Sequence, residues 1–294
     1  TGTVWTPDET SRRSVLGSYI PVGTKTFTVG SGHTFQQGDK VVLQYVYNST
    51  WINMLEMGDA QWPWRVGGQR WSSNGSPTLN NERKVVATTG STVTLDSPAL
   101  DPFQPSWGML SIVKIAGDSR TRNVGIEDMF IEANPDRSQP NWTSTTRENH
   151  GWKAVNFEGV TNAWARNIGS RYFGYSCVSV THRMATFITI EDCFSVEPWS
   201  QSRPSTRYTF NVQGHRVLVQ RCTSDFGRHC FVSGSWTAGP GVFYDCHATD
   251  NRSDLGPHHR WSSGHLYDYV TTDNEIKVRN RGSTSTGSVH GWVG

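Results

Sequence analysis

From residue 123 onward, apolar and polar positions alternate in short runs that recur along the chain: NVGIEDM (123–129), NAWARNI (162–168), FITIEDC (187–193), RVLVQRC (216–222), PGVFYDC (240–246) and NEIKVRN (274–280). Apolar residues hold the second and fourth places in most copies. This is the period-two pattern of a strand with one face buried. The sixth place is Asp128, Asn167, Asp192, Arg221, Asp245 and Arg279. Asp and Asn tolerate left-handed backbone, so the sixth place predicts a sharp bend. The seventh place, Met129, Ile168, Cys193, Cys222, Cys246 and Asn280, then turns inward on a new strand.

Successive copies start 39, 25, 29, 24 and 34 residues apart. A repeat of about 24 residues with short strands and polar bends is one coil of a parallel β-helix. The longer spacings then mark loops inserted at one corner. A second strand per coil is read in WKAVNFEG (152–159), SCVSVTHR (176–183), YTFNVQG (208–214) and HCFVSGS (229–235), with HRWSSGHLYDYV (259–270) in the same place. Stacked strands lie about 4.8 Å apart. Cys193, Cys222 and Cys246 therefore form an inward ladder of small apolar thiols. A disulfide between neighbours is geometrically allowed.

The first third has another pattern. KTFTVGSGHTFQQGDKVVLQYVY (25–47) and RKVVATTGSTVTLDSPAL (83–100) read as β-hairpins, and GMLSIVKIAG (108–117) as a return strand. The division is thus 1–118, a small N-terminal β module covering the start of the solenoid, and 119–294, the coils. The segment GSTSTGSVHGWVG at the end reads as a coil that begins and stops, which suggests a fragment of a longer solenoid and self-association through an open end.

Composition narrows the function classes. The 294 residues carry 27 Lys+Arg against 25 Asp+Glu, a net charge of +2, which argues against a nucleic-acid partner. No apolar run approaches a membrane span. The chain opens without Met and reads as a mature or trimmed product. Four N-x-[ST] sequons, at Asn48, Asn74, Asn141 and Asn251, are candidate glycosylation sites and point, with 13 tryptophans, to a secreted protein.

The V-x-I-x-D-C type coils over residues 120–294 resemble the pectate-lyase-like superfamily. GTKTFTVGSG…GDKVVL, GPHHRWSSGHLYD and GSVHGW together resemble a secreted subgroup without assigned activity. The resemblance implies an all-β, right-handed parallel β-helix. It does not choose among polysaccharide lyase, glycoside hydrolase, esterase, epimerase and non-catalytic adhesin.

Aligning the coils just before the second strand gives His150, Tyr175, Arg207, Arg228–His229 and His258–His259, at the mouths of the variable loops. Nine of the ten histidines lie beyond residue 149. A basic strip suits an acidic polysaccharide. In β-elimination of a uronate, Arg neutralises the carboxylate through its planar fork, and His or Tyr takes the adjacent proton or protonates the leaving oxygen. Arg228, His229, His258, His259, Arg260 and Tyr175 are the candidate catalytic residues. His150, Arg207, Trp199, Asp225, Asp250 and Asp254 are the candidate substrate contacts. The same loops can instead bond to one another along the stack.

The leading expectation is a lyase acting on a uronate glycan. A non-catalytic structural or adhesive glycoprotein is the alternative, and a glycoside hydrolase using two of Asp225, Asp250, Asp254 and Glu197 comes third. No cofactor is expected. A cation among His247, Asp250, Asp254, His258 and His259 stays open, calcium favouring the oxygens. Trp51, Trp62, Trp64 and Trp71 either stack on sugars or fill the N-terminal module.

Overall fold

A computed structural model describes residues 4–57, 78–136, 138, 149–181, 183–258, 260–280 and 292–293. His259, Asn74, Asn141, Trp62, Trp64 and Trp71 lie outside the described residues. The chain is all-β apart from one short helix and one 3₁₀ turn among the described residues. It divides into two compact units. The first is Thr1–Ser119 with His259–Ser263 and Asn280–Trp292; the second is Arg120–His258 with Gly264–Arg279 and Val293–Gly294. No helix among the described residues is long and apolar enough to cross a membrane.

The first unit is a closed barrel of six strands, in the order β1 (Trp5–Leu16), β2 (Thr26–Val29), β5 (Thr92–Leu95), β4 (Thr78–Thr89), β3 (Lys40–Tyr47) and β6 (Gly108–Asp118). All its neighbours run antiparallel. Closure leaves no free sheet edge. Residues 83–100 form the expected hairpin, β4 to β5, turning at Gly90 with φ 58°. Residues 25–47 do not: β2 pairs with β1 and β5, while β3 pairs with β4 and β6. The connection 30–39 is too long for a hairpin turn and carries the chain to another part of the barrel. The polar sequence of β1 conceals a strand. Its register shifts between Asp8 and Arg13, where Thr10 N–H and the Thr10 hydroxyl both donate to Asp8 Oδ1.

Trp51 is buried, in the helix α1 (Ser49–Met54). Its ring stacks on Tyr47 at 3.7 Å and meets Trp261 edge-on at 5.4 Å. It fills the module. Beside it, Asp101 Oδ1 accepts from Trp261 Nε1 at 2.6 Å and from Ser263 Oγ at 2.9 Å. Burial raises the Asp101 carboxyl above its ordinary value, outweighing those two bonds and the charge of Arg83, which pull it down. The folded unit therefore holds this proton more tightly than the unfolded chain does. The contribution is complete below the unfolded value of about 3.9 and is lost as pH rises through the raised folded value. Asp101→Asn removes the dependence. Between about pH 4 and pH 7 its melting temperature is expected to fall less than the parent's, and equal slopes in the two proteins would refute the assignment.

The second unit is a parallel solenoid whose strands form two sheets. The larger contains β7 (Thr121–Glu132), β9 (Val160–Arg171), β11 (Thr186–Glu191), β14 (His215–Gln220), β17 (Ala238–Tyr244) and β20 (Ser263–Asp268). Beyond a corner it continues through β12 (Phe194–Val196), β15 (Thr223–Asp225), β18 (His247–Thr249) and β21 (Thr271–Thr272). The smaller sheet is β8 (Lys153–Phe157), β10 (Ser176–Val180), β13 (Phe210–Val212), β16 (Phe231–Ser233) and β19 (Gly256–Pro257).

The corner is the polar sixth place of the repeat. Asp128, Asn167, Asp192, Arg221 and Asp245 all take left-handed φ, between 50° and 57°. These side chains also bond between coils, Asn167 Nδ2 to Asp128 at 2.9 Å and Arg221 Nε to Asp192 at 2.7 Å. Behind the corner, Thr223 pairs with Phe194 and with His247, so Cys193, Cys222 and Cys246 stack in register. All three are at most 1% exposed. Each thiol donates to the carbonyl two residues back, at 3.2–3.3 Å. All five cysteines are free thiols, so the ladder holds no disulfide. Burial pushes the Cys222 thiol well above the ordinary range.

The last coil departs from the expected alignment. β20 joins β17 in the larger sheet, so GHLYDYV (264–270), not NEIKVRN (274–280), is the sixth copy of the bend motif. Tyr269 makes the left-handed bend with φ 54°. Residues 274–280 belong beside the smaller sheet, through the parallel bridge Leu255–Ile276. The two segments alternate alike, and alternation does not say which sheet a strand joins.

Candidate functional site

The smaller sheet places the site. Its register sets Val155, Val178, Phe210 and Phe231 in one buried column. The residues entering those strands are therefore also stacked. Arg207 N–H donates to the Gly174 carbonyl at 3.2 Å. Arg228 and His229 N–H both donate to the Arg207 carbonyl, at 2.8 and 3.0 Å. The next residue on that side is Arg252, bonded to the Gly227 carbonyl at 2.9 Å. His258 does not share this level. It follows β19, where its N–H reaches the Ser233 carbonyl at 3.0 Å. Gly256 with φ 116° and Pro257 carry the chain there.

Even so, side chains from four successive coils converge. Tyr208 is the centre. Its ring stacks on Tyr175 at 5.2 Å and contacts His229 at 4.8 Å and His258 at 5.4 Å. The two imidazoles meet edge to face at 4.6 Å. Tyr208 Oη lies 3.2 Å from His258 Nε2 and takes a hydrogen bond from Arg228 Nη1 at 3.4 Å. Arg228 Nη1 also lies 2.7 Å from His229 Nε2. On the far side, His229 Nδ1 is 2.6 Å from the Asp254 carbonyl oxygen, which can only accept. Nδ1 therefore carries the proton, and the Nε2 lone pair faces the guanidinium. His229 is locked in one tautomer.

Asp254 completes the cluster. Its carboxyl accepts from the Ser253 hydroxyl at 3.0 Å and lies 3.7 Å from the Arg279 guanidinium. His229 and Tyr208 are 1% and 9% exposed, so approach is through half-buried Arg228 and His258. Tyr175 is pushed well up by burial, first of all, and by Tyr208, and it serves as a stacking partner. Trp152 extends the stack beyond it at 6.2 Å.

The other candidates lie elsewhere. Arg260 is buried and falls in the first unit. His150 is half-buried one residue before Gly151, whose carbonyl receives Gly174 N–H. Asp225 accepts from the Thr249 hydroxyl, and Asp250 is exposed at a left-handed corner. Glu197 is held by Arg171. Of the four carboxylates weighed for hydrolysis, Asp254 alone stands in the cluster. Asn48 caps α1 by accepting from Trp51 N–H, and its amide donates to the Ser106 carbonyl. Asn251 is buried, with its amide on the Ser253 carbonyl.

His229, Asp254 and His258 each offer one ligand atom within 4.8 Å of the others. Two imidazoles and one carboxylate make a set for a zinc-like ion, not an oxygen cage for calcium. Arg228 beside His229 Nε2 puts a cation where such an ion would bind.

A groove of about 650 Å³ opens on the loops that follow β12, β15 and β18. Trp199, Arg207, Phe226, Arg252 and Glu197 line it. The Arg207 guanidinium donates to the Phe226 carbonyl at 3.2 Å and to Ser200, and so braces the loop. Trp199 packs edge-on against Tyr172 at 5.8 Å.

Sequence reasoning missed Tyr208, Phe226 and Arg252. Tyr208 was within reach, because it follows Arg207 directly at the entry to a recognised strand. The ring that points to the cluster was one place beyond the aligned column.

No family model and no curated protein sequence matches the chain. Among solved structures, it is similar to the tailspike protein gp49 from Pseudomonas phage LKA1, with 12% identity, 92% of this chain and 47% of that one covered, and a TM-score of 0.44. It is also similar to the gp54 tailspike of Acinetobacter baumannii bacteriophage AP22, solved with an A. baumannii capsular saccharide (11% identity, 90% and 56% covered, TM-score 0.37). A third is the tailspike gp61 of Pseudomonas phage phi297 (11%, 93% and 59%, TM-score 0.34). The chain spans about half the length of these proteins.

Proposed function

We propose that the protein is a secreted carbohydrate-active member of the pectate-lyase-like superfamily that cleaves a uronate-containing glycan by β-elimination. The observation that carries this reading is the bonded line Arg228–Tyr208–His258, a fixed cation beside a pair that shares a proton. Elimination needs those two things together. Arg228 binds the uronate carboxylate and stabilises the charge that builds on it as the α-proton leaves. The Tyr208–His258 pair takes that proton. The C–H electrons become a carbon–carbon double bond, and the bond from the β-carbon to the glycosidic oxygen breaks. That oxygen keeps the electron pair and takes up a proton. No oxidant or reductant is required. His229, neutral and locked, holds Arg228 in place.

A purely structural stack is the second reading, favoured by the burial of His229 and Tyr208. One experiment separates the two. The protein is incubated with a panel of uronate glycans while the ultraviolet absorbance of the unsaturated product is followed. The lyase reading expects a rise on at least one glycan, and none with His258→Gln. No rise on any member, or an equal rise with the variant, rejects it. Reducing ends released without that absorbance would point to hydrolysis.

A further inference from the structure

We propose that the groove beside the cluster binds one pyranose ring bearing a carboxylate, a sugar acid one position along the glycan from the bond that is cut. The proposal rests on the elimination reading for that placement, but its own evidence is the groove. At about 650 Å³ the space is in the range of small-ligand sites, about 300–1,000 Å³. Three successive coils contribute to it. Trp199 comes from the loop after β12, Phe226 from the loop after β15, and Arg252 from the loop after β18. Phe226 is 38% exposed, and its φ of 56° holds a bulky ring in left-handed backbone at the corner. Such rings offer flat apolar faces to the C–H face of a pyranose.

The charges decide which pyranose. The Arg252 guanidinium lies 5.7 Å from the Phe226 ring centre. Arg207 adds a second, buried guanidinium braced by carbonyl and hydroxyl oxygens. Glu197, the acid of the lining, accepts two bonds from Arg171, at 2.8 and 3.0 Å, and its charge is answered there. The groove therefore presents surplus positive charge beside aromatic faces, the complement of a ring that carries a carboxylate. A neutral sugar satisfies the rings only, and a bare phosphate only the guanidinium groups. Groove and cluster are also joined through one peptide. Arg207 lines the groove, Tyr208 enters the cluster, and the Arg207 carbonyl receives both Arg228 and His229.

The test is binding, not turnover. Trimers of galacturonate, glucuronate and mannuronate, with their neutral counterparts, are titrated calorimetrically into the protein carrying His258→Gln, alone and combined with Arg252→Gln, Arg252→Lys, Trp199→Ala or Trp199→Phe. At least one uronate trimer is expected to bind more tightly than its neutral counterpart. Arg252→Gln lowers affinity for it about tenfold or more and leaves the neutral trimer unchanged; Arg252→Lys recovers part of the loss. Trp199→Ala weakens both trimers, and Trp199→Phe less so. Unaltered melting curves show that the variants fold. Equal binding of charged and neutral trimers, binding unaffected by Arg252→Gln and Trp199→Ala, or no binding of any trimer overturns the proposal. No elimination by the unsubstituted protein, with selective binding intact, rejects the lyase reading alone. Lost selectivity with intact elimination rejects the groove alone.

Discussion

Tyr208→Phe is expected to slow elimination by about 10²- to 10⁴-fold, the usual worth of a positioned acid–base group, with substrate affinity maintained. The substitution removes one oxygen and keeps the ring. Stacking on Tyr175 and contact with His229 survive, so the coil keeps its packing. What goes is the atom that bridges Arg228 to His258. If the cluster only filled space, Phe would serve as well as Tyr, and rate and stability would both be unaffected. Steady-state kinetics on the responding glycan decides the matter: kcat falls and KM stays. Loss confined to KM would assign Tyr208 to binding instead.

Phe231→Ala is expected to cost about 3–5 kcal/mol of stability, the largest effect of any single truncation proposed for this molecule. Phe231 is wholly buried, stacks on Phe210 at 5.3 Å in the coil below, and meets Phe243 edge-on at 6.1 Å. In a solenoid each coil rests on its neighbours, so an emptied rung weakens two interfaces at once. Leu266→Ala is the control. Leu266 is 54% exposed, and its loss should stay within about 0.5 kcal/mol. Denaturant midpoints compare the two. A cost below about 1 kcal/mol for Phe231→Ala would mean that the column is loosely packed.

The solenoid could be read from the chain because two simple rules operate in register. Alternation buries one face, and a left-handed corner needs a residue that tolerates it. Asp128, Asn167, Asp192 and Asp245 announce that corner chemically; Arg221 and Tyr269 occupy it without announcing it. Alternation alone therefore puts the sixth copy at 274–280, whereas the bend lies at Tyr269. NEIKVRN imitates the alternation, whereas GHLYDYV hides its bend under a tyrosine. The spacing was the better signal, since 264 follows 240 by one 24-residue coil. The barrel was less legible. β1 is polar, and β2 and β3 find partners distant in sequence, which no local pattern encodes. The cluster fell between these cases. Stacking puts Arg228, His229 and His258 in one alignment with Arg207, and the first two share its level. It did not predict that His258 reaches His229 from the far end of its strand, because the turn at Gly256 and Pro257 sets that path.

If Tyr208, Arg228 and His258, from three coils, act as one acid–base unit, a double-mutant cycle on rate shows it. Tyr208→Phe and His258→Gln are made singly and together, and elimination is measured for all four proteins under one set of conditions. The double variant is expected to be no slower than the slower single variant, because either change alone already breaks the unit. Losses that multiply would show that the two side chains work independently, and would contradict it.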